Sequence, residues 1–141
     1  MARTLSAVAR EAGGELVGED SAFEGVSIDS RELKSGALFV AISGDRFDGN
    51  DFLADAQSKG AAGAMVSRLT SFPFPQVRVL DTRDAFAQAA RAWRGNFSIP
   101  VIAVTGSNGK TTVKALIASI LGARREICVT RGNLNNDLGV P

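Results

Sequence analysis

Between Pro100 and Leu121 the chain passes from an unbroken apolar stretch, Pro100-Val-Ile-Ala-Val-Thr105, through Gly106-Ser-Asn-Gly109 into Lys110-Thr-Thr-Val-Lys-Ala-Leu-Ile-Ala-Ser-Ile-Leu121. No other feature limits the fold so much. An apolar run without alternation reads as a strand buried on both faces. The stretch after Gly109 is a strong helix former, and residues 126–130 read as another strand. Strand, glycine turn, helix and strand in that order open a parallel α/β sheet.

The turn carries chemistry as well as topology. A helix that starts directly after a glycine presents free N–H groups and its positive dipole end, and both favour a phosphate. Gly106 and Gly109 permit unusual dihedrals and close backbone approach, with Ser107 and Asn108 between them. Lys110 can reach the β- and γ-phosphates of a nucleotide as a point charge. The Thr111 hydroxyl can coordinate Mg²⁺, and Thr112 follows in the same first turn. The general pattern GxxxxGK[ST] asks for glycine where this chain has Val104. A plain strand-to-helix turn with a surface lysine is the alternative. The ordered succession of strand, glycines, lysine and hydroxyl favours phosphate.

Upstream, residues 4–12 read as a short helix with Thr4 as N-cap, stopped by Gly13-Gly14. Strands are expected at 15–17, 25–28, 37–42, 64–67 and 77–80. A helix is expected at 51–59, with Asp51 as its N-cap and Gly60 ending it. Ser71-Phe-Pro-Phe-Pro75 forbids regular structure. Asp81-Thr82 can cap a helix to about Arg94, with Phe86, Ala89, Ala90 and Trp93 on one stripe as core. The character of the chain changes after Leu80, so a domain boundary is expected near residue 81. The tail 131–141 ends without a closing element, and two or three parallel strands cannot cover both sheet faces. The chain therefore reads as a fragment.

Composition excludes more than it proposes. The 141 residues are 45% hydrophobic and 22% charged, with a formal charge of +1, so no basic footprint for nucleic acid exists. The absence of His removes Ser-His and Cys-His pairs and imidazole metal sites. Cys128 is the only cysteine and, among apolar neighbours, reads as packed. No run nears the ~18 apolar residues of a membrane span. Arg10 and Glu11 break the apolar start, so no signal peptide is read and a cytoplasmic location is expected. Asp48 and Asp51 are not taken as a metal pair, because Asp51 serves better as a cap. Arg124-Arg125 reads as a solvated helix end.

The loop Val104-Thr-Gly-Ser-Asn-Gly-Lys-Thr-Thr112 resembles the ATP loop of the Mur ligase family, whose loop has this shorter form. Ser27-Ile-Asp-Ser-Arg31, Gly36-Ala-Leu-Phe-Val-Ala-Ile42 and Gly44-Asp-Arg-Phe-Asp-Gly-Asn-Asp-Phe52 resemble the first domain of that family. Asn50 departs from it, standing where His is frequent. The tail Thr130-Arg-Gly-Asn-Leu-Asn-Asn-Asp-Leu-Gly-Val-Pro141 resembles the branch that joins D-alanyl-D-alanine to UDP-N-acetylmuramoyl-tripeptide, rather than the branch that adds the third amino acid. The implied fold is α/β: a small UDP-substrate-binding domain at 1–81, then the start of a P-loop ATP-binding domain at 82–141.

The implied activity is ATP-dependent amide ligation. The tripeptide carboxylate becomes an acyl phosphate, and the dipeptide amine then displaces the phosphate. ATP and Mg²⁺ are the implied cofactors, Lys110 the implied catalytic residue, and a monomer is expected. The fragment alone is expected not to turn over. Ser30 would contact uracil and Arg31 flanks it, although an Asx/Ser turn with a solvated Arg explains the pair too. Asp45, Arg46 and Phe47 occupy the loop that closes on the uridine in similar enzymes. Arg46 could pair with the diphosphate and Phe47 could pack on the base, or they form a surface loop with one buried Phe. Asn135 and Asn136 lie beyond a strand end, where open α/β sheets bind ligands, and contact with the substrate's diphosphate or sugar competes with a turn role. A non-catalytic UDP-sugar or nucleotide-binding module is the rival from another class.

Overall fold

The structure is a computed structural model that describes residues 3–44 and 47–130. It divides into two compact units, Met1–Arg94 and Gly95–Pro141. In the first, the elements in chain order are β1 (Arg3–Thr4), α1 (Leu5–Glu11), β2 (Glu15–Val17), β3 (Ala22–Phe23), β4 (Val26–Ser27) and a 3₁₀ turn (Ser30–Glu32). Then follow β5 (Leu38–Val40), a second 3₁₀ turn (Gly49–Phe52), α2 (Leu53–Ser58), β6 (Gly63–Val66), β7 (Gln76–Arg78) and α3 (Thr82–Arg94). Strands β4, β5, β6 and β7 pair in parallel, and β2 adds antiparallel to β7, giving the order β2-β7-β6-β5-β4. The short pair β1–β3 stands apart from that sheet and was not foreseen.

The apolar run around β5 is central, and Leu38, Phe39 and Val40 are all buried. Alternation assigns its faces. Phe39 and Ala41 join Ala64 and Val66 against Leu53 and Ala56 of α2. The opposite face takes α1. A methyl added at Gly63 would lie 2.8 Å from Leu5 Cδ1, so Leu5 rests directly on the β6 backbone. Thr4 caps α1 as expected, its hydroxyl accepting from the Ala7 N–H at 3.3 Å.

Helix α3 belongs to the first unit, which ends at Arg94 rather than near residue 81. Asp81 caps it by accepting from the Arg83 and Asp84 N–H groups at 2.8 and 2.9 Å. Its buried face is Thr82, Ala85 and Ala89, and it packs against α1. Phe86 and Trp93 are half-buried flanks of that face. The Trp93 ring lies 5.0 Å from the Arg3 guanidinium, which also pairs with Glu11. An amphipathic helix docks wherever its stripe finds a complementary apolar face, and the sheet of the first unit offers one. The Thr82 hydroxyl donates to the Ala41 carbonyl at 3.1 Å in a buried setting. Thr82→Val leaves that carbonyl without its donor. It should cost about 1–2 kcal/mol of unfolding free energy, measurable by urea denaturation.

The second unit contains α4 (Lys110–Gly122). Residues 100–105 and 126–130, expected as strands, join no β-ladder among the described residues. Val101 and Ile102 are 69% and 58% exposed, and Cys128 is exposed rather than packed. A parallel strand has no internal hydrogen bonds and exists only beside a partner strand. The apolar run thus has strand character in its side chains without strand pairing in its backbone. No helix among the described residues is long and apolar enough to cross a membrane.

Candidate functional site

The first unit has a cavity of about 380 Å³ at the carboxyl ends of β4 and β5. Ligands collect at that edge of open α/β sheets, and the volume suits a small-molecule site. One wall is the segment that follows β4, from Ile28 through Asp29 and Ser30 to Arg31. The floor is apolar, with Phe39 and Ile42, and Phe47 and Phe52 stand at the sides.

The polar wall is built by one carboxylate. Asp29 accepts from the Arg31 N–H at 2.9 Å, starting the first 3₁₀ turn. It also accepts from Arg31 Nε at 2.9 Å and Nη2 at 2.6 Å. The Arg31 side chain, then its backbone N–H, hold the Asp29 carboxyl down at about 2. A depressed carboxyl favours the folded arrangement above its unfolded value and loses that contribution as pH falls through the folded one. The clamp should therefore be complete above pH 4 and open as pH approaches about 2. A carboxyl-carbon NMR titration should show this midpoint, and Arg31→Gln should return it toward the ordinary aspartate range.

Phe47 marks the opposite lip. Gly44 and Phe47 form an isolated antiparallel bridge, with the Gly44 N–H donating to the Phe47 carbonyl at 2.9 Å. Phe47 is 57% exposed at the cavity and is not the buried Phe of the alternative reading. Asp45 and Arg46, between them, lie outside the described residues. Asp48 then accepts from Ser43 Oγ at 2.8 Å and from the Asn50 N–H and Nδ2 at 2.9 and 2.7 Å. It also pairs with Arg68 at 2.9 Å. These donors, the Asn50 N–H foremost, hold the Asp48 carboxyl below its ordinary range.

Asp48, not Asp51, is thus the cap in this segment. The chain winds first as the 3₁₀ turn, and α2 begins at Leu53 with no side-chain cap. Asp48 reaches the turn's free N–H groups before the chain arrives at Asp51, which leaves Asp51 inside the turn. Gly49 fits because a methyl there would come within 2.5–2.6 Å of Ala41 and Ile42 backbone atoms.

The second unit carries the glycine loop of residues 106–109. Gly106 and Gly109 have φ of 142° and 75°, a region open to glycine at no steric cost. Gly109 is the N-cap of α4 and contributes no side-chain cap. The first intrahelical bond in this turn is Val113 N–H to the Gly109 carbonyl at 2.9 Å, so the N–H groups of Lys110, Thr111 and Thr112 lack intrahelical acceptors. Lys110 Nζ donates back to the Gly106 carbonyl at 2.5 Å, which lays its ammonium across the loop. Ser107, Asn108, Thr111 and Thr112 are exposed. Uncapped donors, the Lys110 ammonium and open space fit a polyphosphate, and the exposed Thr111 hydroxyl fits one position of an Mg²⁺ shell.

The structure therefore gathers Ser30, Arg31 and Phe47 at one cavity and Gly106 to Thr112 at one loop. Asn135 and Asn136 lie outside the described residues. Sequence reasoning missed Phe39, Ile42 and Phe52. The one available signal was their position at the ends of predicted elements, where an apolar side chain can face a cleft instead of a core.

A largely parallel sheet with a cleft at its strand ends, together with a glycine loop that opens a helix without a side-chain cap, defines an α/β protein of the ligand-binding type. Residues 22–94, more than half of the chain, match the catalytic domain of the Mur ligase family, and residues 104–141 match the Mur ligase middle domain. The chain belongs to the Mur ligase family. It is 45% identical over 138 residues to the UDP-N-acetylmuramoyl-tripeptide–D-alanyl-D-alanine ligase of Escherichia coli K12, covering 98% of this chain and 30% of that protein. A crystal structure of MurF from Acinetobacter baumannii matches with a TM-score of 0.89 at 36% identity, over 99% of this chain and 32% of that one. MurF ligase from Thermotoga maritima, solved in complex with ADP, matches with a TM-score of 0.72 at 38% identity, over 82% and 27%. The chain spans about 30% of the length of the curated relative it matches.

Proposed function

We propose that this chain is the UDP-substrate-binding and phosphate-loop portion of an ATP-dependent ligase. That ligase joins D-alanyl-D-alanine to UDP-N-acetylmuramoyl-tripeptide in peptidoglycan precursor synthesis, as a cytoplasmic monomer. The observation that carries this reading is the uncapped helix start at Gly109, with Lys110 lying across it, in a chain so similar to MurF proteins over nearly its whole length. The tail motif at Asn135 and Asn136 favours this branch over the one that adds the third amino acid.

The first unit grips the nucleotide end of the substrate. Phe47 and Phe52 offer ring faces to a planar base, and Ser30 offers a hydrogen bond to its edge. Asp29 engages Nε and Nη2 of Arg31, which leaves Nη1 for a substrate phosphate. Arg46 and the two tail asparagines are assigned to the diphosphate and sugar. In the second unit the uncapped N–H groups of the first turn bind phosphate oxygens. Lys110 exchanges the Gly106 carbonyl for the β- and γ-oxygens, and Thr111 would hold Mg²⁺. When bound, ATP with Mg²⁺ supplies the phosphoryl group that activates the tripeptide carboxylate. The chain's own part is positioning and charge neutralisation, which is what phosphoryl transfer needs most.

The test is a chimera in which this chain replaces the matching 138 residues of the Escherichia coli relative. It should release phosphate only with UDP-N-acetylmuramoyl-tripeptide and D-alanyl-D-alanine both present. Failure of the isolated chain to bind the UDP-linked tripeptide in titration calorimetry would overturn the reading. Turnover by the isolated chain would refute the expectation that it is inactive alone.

A further inference from the structure

The peptide group between Ser30 and Arg31 is held at both ends by side chains. Its N–H, that of Arg31, donates to Asp29 Oδ1 at 2.9 Å. Its carbonyl, that of Ser30, accepts from Lys59 Nζ at 2.8 Å. The 3₁₀ turn around it does little to hold itself. The turn's own bonds, Glu32 N–H to the Asp29 carbonyl and Leu33 N–H to the Ser30 carbonyl, are 3.3 and 3.4 Å long. Both exceed the usual N–H···O range of about 2.7–3.2 Å.

Lys59 closes α2 as its C-cap and does not line the cavity. The chain beyond it is stitched to the segment that leads into β5. The Gly36 N–H donates to the Gly60 carbonyl at 2.7 Å, and the Ala62 N–H donates to the Ala37 carbonyl at 2.9 Å. These bonds fix the base of the lysine, and its ammonium reaches back to the start of the same segment. Asp55 Oδ2 lies 3.3 Å from the ammonium, a longer contact than that to Ser30. As a partly exposed ion pair within one helical turn, Asp55–Lys59 contributes little to stability.

A planar peptide leaves two soft dihedrals between the Ser30 and Arg31 side chains, ψ of Ser30 and φ of Arg31. Holding the carbonyl and the N–H in fixed directions restrains both. An ammonium on the carbonyl also polarises the amide and strengthens the N–H bond at its other end. Resting on the reading of the cavity as the site of the substrate's nucleotide end, we propose that Lys59 is a positioning residue. By holding the Ser30 carbonyl it sets how the Ser30 hydroxyl and the Arg31 guanidinium diverge on the cavity wall. It thereby matches a base contact and a phosphate contact to one nucleoside diphosphate.

The experiment titrates UDP into the 141-residue chain by calorimetry, for the wild type, Lys59→Met and Lys59→Arg. Lys59→Met keeps the aliphatic stem and removes the donor. Its dissociation constant for UDP should rise about tenfold. Its melting temperature should stay within about 3 °C of the wild type's. In an amide-correlation NMR spectrum its Arg31 amide proton should move upfield, because the bond to Asp29 loses the polarisation from the far end. Lys59→Arg keeps a charged donor. It should restore the amide position, and the affinity to within about threefold. Wild-type affinity in Lys59→Met would overturn the positioning role and leave the cavity reading standing. So would a weakened Lys59→Met whose melting temperature falls by more than about 5 °C, because the loss is then one of fold. Failure of Lys59→Arg to regain affinity would overturn the role as well. A wild type that does not bind UDP would overturn the cavity reading and this inference with it.

Discussion

Gly49→Ala should lower the melting temperature of the first unit by about 15 °C, read by circular dichroism. The residue has no unusual dihedral, so the effect is not backbone strain. Its cause is the backbone of Ala41 and Ile42, with three atoms 2.5–2.6 Å from where a methyl would stand. Backbone of a buried segment beside a central strand cannot swing away as a side-chain tip can. Overpacking of this kind costs about 1–3 kcal/mol, occasionally more, and a crowded backbone belongs at the upper end. About 3 kcal/mol in a unit of this size corresponds to the stated shift. Ligand binding should suffer even in the surviving folded fraction. Ile42 forms part of the cavity floor and Gly49 part of its wall, so separating them deforms the cavity itself. A shift under about 3 °C would show that the second 3₁₀ turn yields instead, and that the close approach is not a constraint.

Lys110→Met should reduce phosphate release by the chimeric ligase about a thousandfold while leaving its fold intact. The lysine's partner in the structure is the Gly106 carbonyl, across a loop whose residues are exposed, so its removal empties no core position. What is lost is the ammonium that lies across the loop beside the uncapped first turn of α4. Lys110→Arg should not restore activity. A planar guanidinium cannot take the place of a compact ammonium within a tight glycine loop. UDP affinity of the first unit should be unchanged in both variants, which separates the two halves of the proposed reaction. Turnover within threefold of wild type in Lys110→Met would remove the lysine from the mechanism.

The two sites were not equally legible in the sequence. The phosphate loop is contiguous, and its signals act through the local backbone. Two glycines at positive φ, an uncapped helix start and a lysine that can fold back on Gly106 are all properties of seven successive residues. The cavity of the first unit draws on separate segments. Ser30 and Arg31 were readable from the polar turn, and Phe47 from its loop. Phe39, Ile42 and Phe52 face the cavity only because β5 and the second 3₁₀ turn converge there. The Asp51 cap failed for a related reason. Two aspartates three residues apart are equivalent as cap formers, and the Ser43 and Arg68 contacts come to Asp48 alone.

Short-range forces account for the features that were legible along the chain. These are the helix starts at Thr4, Asp81 and Gly109, the stops at Gly13 and Gly60, the apolar strands of the parallel sheet and the backbone geometry of the glycine loop. Each rests on backbone hydrogen bonds or dihedral freedom within a few residues. The meeting of distant segments decided that α3 closes the first unit, that Gly49 must have no side chain, and that Lys59 reaches the Ser30 carbonyl. Those outcomes depend on which surfaces meet, and a strand without a neighbour or a helix stripe without a facing sheet has no preferred place until the partner is in position.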